Sequence, residues 1–304
     1  MISIVSAPTN LGLRPPELGS VPGTSKAPEA LRDAGLYDRL MSAGALDAGV
    51  VLPGRYVNDD QTRAKGHVRN ETAMIEHAIR LAGRIGSVLE RGESPLVIGG
   101  DCSLLLSAGL ALTNRRNAGL VHLDGHTDFR HPGNSNECAS VAGEDLAAAV
   151  GMHWPAIANI QGRGPYFAPG NVAHIGCRDD DPEFAEADSV LGLVMPARVA
   201  MQRGMTATAS AAAAVAGGAG YWLQLDVDIL DPRWMPAVDS PDPGGLSPED
   251  LVALLSALAP YAIGASVTVF DPDLDPDGHH AVRLAEILGT GLQFLGSRAT
   301  VNDH

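Results

Sequence analysis

Leu120-Val121-His122-Leu123-Asp124-Gly125-His126-Thr127-Asp128 decides the fold. A short, almost continuous apolar run stops abruptly in acids and a histidine. Such a run reads as a strand covered on both faces, the habit of parallel sheets. The same pattern recurs at Ile2 to Ala7, Leu96 to Ile98, Val172 to Gly176, Tyr221 to Val227 and Ile263 to Phe270. Helical patterns lie between them. Glu71 to Arg91 carries Ile75, Ile79, Ala82, Ile85 and Leu89 on one face, with Gly92 to end it. Ala27 to Ala34 and Pro248 to Leu258 are further helices, the latter with Ser247 and Asp250 spaced as a capping box. Alternating strands and helices predict an α/β fold on an open, mostly parallel sheet. No linker or repeat divides the chain, so residues 1–304 are expected to form one domain.

The acids carry the chemistry. In an extended chain Asp124, His126 and Asp128 would project from one face, about 6–7 Å apart at about 3.3 Å per residue. Leu225-Asp226-Val227-Asp228 repeats the arrangement at a second strand end. In open α/β sheets ligands collect beyond the carboxyl ends of the strands, so the two acidic tips are expected to share a crevice. Either pair alone could be a helix cap or a solvated loop. Four carboxylates and one imidazole together need a cation, and hard oxygen donors favour Mn, Mg or Ca.

Five segments, in order, resemble the ureohydrolase family of arginase, agmatinase, guanidinobutyrase and formiminoglutamase. Asp124-Gly125-His126-Thr127-Asp128 is similar to its Asp-Ala-His-x-Asp signature, and Asp226 to Pro232 to its Asp-x-Asp-x-x-Asp-Pro signature. Gly99-Gly100-Asp101-Cys102-Ser103 resembles Gly-Gly-Asp-His-Ser, Gly23 to Arg32 resembles the N-terminal Gly-Pro-x-x-Leu-Arg segment, and Gly176 to Asp181 resembles the Gly-x-Arg-Asp-x-Asp loop. The resemblance implies a three-layer α/β/α fold with a mostly parallel central sheet, two Mn2+ ions per subunit and a homo-oligomer, trimer or hexamer. Asp124 and Asp226 would bridge the ions. Asp128 and position 102 would complete one, and His126 and Asp228 the other. The implied reaction is hydrolysis of a guanidino, amidino or formimino C–N bond by metal-activated hydroxide, with Asp128 relaying a proton to the leaving amine.

Several positions depart from the family pattern. Cys102 stands where a metal-binding His is usual. A thiolate there would favour Zn2+ or Ni2+, whereas a buried thiol would leave one ion weakly held. His122 and His131 are near enough to compensate, although His122 could equally be a core residue. Arg130 occupies the place of an Asn that helps to read the substrate carboxylate in arginase; it could grip a carboxylate or simply pair with an acid on the surface. Ala142 falls where arginase and agmatinase carry a proton-shuttling His. Val267 to Pro272 lacks the guanidinium-binding Glu, with Asp271, Asp273 and Asp275 as nearby substitutes. Asp179 and Asp181 match the loop that holds a substrate amino group. Arginine itself is therefore not the expected substrate.

Composition narrows the alternatives. The net charge of -15 repels nucleic acid and anionic membranes. No apolar run reaches the roughly 18–20 residues of a membrane span, and the Ala-rich stretch Ala207 to Gly220 is short and Gly-broken. Three cysteines in no paired pattern, and an N-terminus that reads as a strand, predict a cytoplasmic protein. A silent small-molecule-binding or regulatory relative is the alternative that Cys102, Ala142 and the absent Glu leave open. A generic two-metal phosphoesterase fits the carboxylates but not the ordered Gly-Gly-Asp and Arg-Asp-x-Asp segments.

Overall fold

The computed structural model describes residues 1–17, 19–115 and 117–299. Among them eight strands pair into one sheet: β1 (Ile2–Ala7), β2 (Leu46–Val50), β3 (Ser94–Gly99), β4 (Gly119–Leu123), β5 (Val172–Ile175), β6 (Leu193–Met195), β7 (Tyr221–Asp226) and β8 (Ala262–Thr268). Their order is β2-β1-β3-β8-β7-β4-β5-β6, and every pairing is parallel. The sheet is thus wholly parallel where the sequence predicted a mostly parallel one.

Period-two alternation sorts the strand residues onto two cores. Ile98, Val121, Leu123, Leu223, Leu225 and Val267 meet helices Ala27–Asp33, Leu36–Ser42, Met205–Ala216, Pro248–Leu258 and His279–Gly291. Val5, Val97, Leu120, Val172 and Trp222 meet helices Glu71–Glu90 and Leu104–Leu112 on the other face. These are the three layers, α/β/α. The Ala-rich stretch lies largely in Met205–Ala216, whose small side chains let the helix approach the sheet. No described helix is long and apolar enough to cross a membrane. Ser247 and Asp250 form the expected capping box on Pro248–Leu258.

Two edge strands escaped the sequence reading. β2 is mostly exposed and carries Asp47 and Gly49, and β6 is only three residues long. Strand ends also moved inward. β5 stops at Ile175 because Gly176 turns to φ +120°, and β8 stops at Thr268 because Val269 takes φ 74°. A positive φ is costly for a β-branched residue, so the surrounding structure must hold Val269 in place. Its N–H donates to the Gly100 carbonyl at 2.7 Å.

This topology aligns four strand ends. In the run β3-β8-β7-β4, Cys102 follows β3, Thr268 closes β8, Asp226 closes β7 and Asp124 follows β4. Leu123 pairs with Leu225, and Asp226 with Thr268, so the tips lie level. Gly176 supports them from β5. A side chain there would meet the Asp124 carbonyl at 2.5 Å and Ile229 at 2.6 Å. Gly176→Ala therefore combines left-handed strain with overpacking and should destabilise the protein by at least about 2 kcal/mol. Urea unfolding measures it; an unchanged midpoint would refute the assigned close approach.

Candidate metal centre

The acids do not converge as one extended segment, which corrects the simple alternation argument. The chain bends immediately after β4 and the bend is tied by Asp124 itself, whose Oδ1 accepts from the His126 N–H at 2.7 Å. Asp128 then adopts φ 48°, left-handed for a residue with a side chain. After β7 the same device recurs: Asp226 Oδ1 accepts from the Asp228 N–H at 2.8 Å and starts a one-turn 3-10 helix, Val227–Ile229. Local aspartate-to-backbone bonds of this kind compete well with strand extension. They turn each chain back so that its two acids face a common crevice.

The two tips are then tied together. The Gly125 N–H donates to Asp228 Oδ1 at 2.9 Å, and His126 Nδ1 lies 2.9 Å from Asp228 Oδ2. The Arg178 guanidinium donates to the carbonyls of Gly176, Asp228 and Asp242 at 2.8–3.1 Å. It clamps backbone and leaves no free fork for a ligand. Ligand atoms of Cys102, Asp124 and Asp226 lie within 4.8 Å of one another, as do those of Asp124, His126 and Asp228. All six expected metal ligands, Asp128 among them, therefore meet in one site.

Electrostatics make the crevice demanding. Burial, then the charges of Asp128, Asp228 and Asp226, push the Asp124 carboxyl well above the usual carboxylate range. Burial and neighbouring acids do the same to Asp128 and Asp226, and raise the Cys102 thiol. Asp228 moves down: burial pushes it up most strongly, but the bond and charge of His126, the Gly125 N–H and the Arg178 charge together outweigh that. His126 rises to about 9 against its own burial, held between Asp228 and Asp242. Asp239 reaches solvent at the mouth, yet enough protein surrounds it that desolvation and the Asp228 charge raise it to about 6.

Cys102 Sγ donates to Asp226 Oδ2 at 2.8 Å, and so lies inside the cluster as a thiol. The rim residues are further out. Arg130 faces Glu183 at 3.7 Å, and Asp179 pairs with Arg198 at 2.7 Å on the surface. Asp181 accepts from both the Thr127 N–H and hydroxyl at 2.7–2.8 Å, so it braces the Asp124–Asp128 bend. His131 turns away to Glu186 at 3.1 Å, so of His122 and His131 it is His122 that lies beside the acids. Asp271, Asp273 and Asp275 are engaged elsewhere: Asp271 accepts from the Gly23 N–H, Asp273 pairs with Lys26, and Asp275 accepts from the first-turn N–H groups of His279–Gly291. None is free to replace a guanidinium-binding Glu.

One residue was missed altogether. Asp145 is fully buried at the start of helix Asp145–Ala149, and its carboxylate closes a group with Cys102 and Asp128. Nothing in its local sequence marks it; only the packing of that helix against the crevice brings it there. Among the described residues, Asp124 Oδ2, both Asp145 oxygens and His122 Nε2 find no hydrogen-bond partner. Buried acceptors left bare cost about 1–3 kcal/mol each, more when charged. Orphaned oxygen and nitrogen donors around one point are what divalent cations satisfy, so the residues fit a metal centre.

The comparisons agree with this geometry. An arginase from Bacillus caldovelox is 29% identical over 300 residues, covering 95% of this chain and 97% of the relative. An arginase from Brevibacillus brevis is 30% identical over 288 residues, covering 90% and 91%. The native crystal structure of the Bacillus caldovelox arginase superposes with a TM-score of 0.83 at 26% identity, covering 96% and 97%. The arginase family model matches residues 2–291. With the all-parallel sheet, the acidic strand tips and this match over nearly its whole length, the chain belongs to the arginase family.

Proposed function

We propose that the crevice holds two divalent cations, Mn2+ in the first instance, and that the protein hydrolyses a C–N bond of a small guanidino, amidino or formimino compound other than arginine. The observation that carries this reading is the buried cluster of Asp124, Asp128, Asp226 and Asp228, whose carboxylates outnumber the His126 imidazole and the carbonyl-bound Arg178 guanidinium that face it among the described residues. Asp124 and Asp226, at level strand tips, would hold the cations together with His126 and Asp228 on the outer side and Asp128, beside Cys102, on the inner side.

Bound there, the cations would supply Lewis acidity and lower the pKa of a shared water. The chain does the rest. Asp128, with its backbone fixed at φ 48° and Asp145 behind it, is positioned to accept the proton of the attacking water and return it to the departing amine. Asp239 and Asp242 add negative charge at the mouth and favour a cationic substrate. Arg130, facing Glu183, and Asp179, paired with Arg198, lie on the segments joined through Thr127 and Asp181, and we assign them to the distal end of the substrate. Arginine is disfavoured because Ala142 offers no proton shuttle and Asp271, Asp273 and Asp275 are engaged. A phosphoester is disfavoured because Arg178 is consumed by carbonyls. Assembly as a trimer or hexamer is part of the same reading.

Mn2+-loaded protein should release urea, ammonia or formamide from at least one member of a guanidino, amidino and formimino panel. Asp128→Asn should lower kcat by about 10²-fold or more. Metal-loaded protein inert across the panel would favour the silent binding alternative, whereas metal-dependent turnover lost in Asp128→Asn would eliminate that alternative.

Proton linkage gives a second test. Asp124, Asp128 and Asp226 hold protons in the folded apoprotein that the unfolded chain, with carboxyls near 4, has released. Apoprotein stability should therefore fall as pH rises above about 4. Cations replace those protons and the one on His126, so binding at pH 6 should release protons. Calorimetry in buffers of different ionisation enthalpy reads this directly; binding heats independent of buffer would contradict it.

A further inference from the structure

One pleat below the acid tips, a polar row crosses the sheet: Ser266 on β8, Gln224 on β7, His122 on β4 and His174 on β5, in mutual register. Most of it is satisfied. Trp222 Nε1 donates to Ser266 at 2.9 Å, Ser266 bonds Gln224, and His122 Nδ1 lies 2.9 Å from His174 Nδ1. Two ring nitrogens are exceptions, His174 Nε2 and His122 Nε2, and the latter points toward the acids. His122 Nε2 lies 3.7 Å from Asp124 Oδ2 and 3.8 Å from Asp145 Oδ1. Both side chains, His122 and Asp145, are 0% exposed, and these three atoms lack hydrogen-bond partners among the described residues.

We propose that His122 and Asp145 are ligands of the inner cation, with His122 supplying the imidazole nitrogen that Cys102 cannot. The proposal rests on the two-cation reading above. Separations of 3.7–3.8 Å are too long for hydrogen bonds. They are close to the edges of a coordination shell, about 3.0–3.6 Å for metal–ligand bonds of about 2.1 Å. Ligand atoms of His122, Asp124 and Asp128 fall within 4.8 Å of one another, and those of Cys102, Asp128 and Asp145 do so too. The two groups share Asp128, so one ion can draw on His122, Asp124, Asp128 and Asp145. His174 completes the arrangement. Burial keeps it neutral, and it can accept the Nδ1–H of His122, which leaves the Nε2 lone pair free for metal. Metal-binding histidines are ordinarily oriented by such a partner on the other nitrogen. A donor set of one imidazole and three carboxylates suits Mn2+ or Co2+ better than a thiolate-preferring ion.

The test counts ions and reads stability, independently of turnover. Chelator-stripped protein is reloaded with Mn2+ or Co2+ and analysed for metal per chain, and melting is recorded with and without metal. Wild type should bind two ions and melt higher when loaded. H122A and D145N should each bind one ion fewer and gain less from metal, while H131A, whose imidazole faces Glu186, should keep two. D145N is nearly isosteric and guards against a folding defect in H122A. Its apoprotein should melt above wild-type apoprotein, because an uncompensated buried carboxylate has gone. Either variant retaining two ions at wild-type affinity would overturn the assignment of that residue and leave the two-cation reading standing. Wild-type protein that takes up no ion would sink both.

Discussion

Repulsion among carboxylates buried at the level tips of β4 and β7 governs this structure. Leu123 pairs with Leu225, so the acids that follow cannot avoid one another. At a low effective dielectric, unit charges about 4 Å apart interact far more strongly than in water. The crevice offers two remedies, protons or cations. In the apoprotein protons serve, which is why Asp124, Asp128 and Asp226 all hold theirs more tightly than free carboxyls. A site that must choose between protons and divalent ions is stable enough to fold and unsatisfied enough to bind.

Much of the surrounding chain is occupied in holding that arrangement. Asp124 and Asp226 each bond the N–H two residues ahead, which converts a strand end into a turn. Thr127 is bonded by Asp181, Asp228 by Gly125, and the Asp228 and Asp242 carbonyls by Arg178. The family's Arg-Asp-x-Asp loop is in this protein a brace for the metal-facing segments. Strain collects beside it, at Asp128 and Val269, and the interlocked hydrogen bonds carry its cost.

One departure from the family pattern, Cys102, lies among the buried acids. Cys102, Asp145 and His122 gather around Asp128 and Asp124, whereas His126 and Asp228 form the other side of the cluster. Loss of an imidazole at position 102 coincides with a histidine one pleat below Asp124 and with a buried acid at the start of Asp145–Ala149. A change of ligand geometry on one side only would alter how water and substrate meet there, which is consistent with a substrate other than arginine.

The sequence by itself determined the α/β layering, the six inner strands and the capped helix at Pro248, and it singled out six candidate ligands for one crevice. It could do so because buried parallel strands need unbroken apolar runs, and because several carboxylates ending such runs together demand a compensating cation. It did not reveal β2 or β6, since an exposed edge strand and a three-residue one leave no hydrophobic period to read. Nor could it place Asp145, separated from Asp128 by a loop and a helix start, or decide whether His122 was core or site. Those answers depend on which helix packs over which strand end, and on whether a buried atom finds a donor. Such facts exist only once distant segments have met, because hydrogen-bond satisfaction is a property of the assembled interior and not of any local stretch of chain.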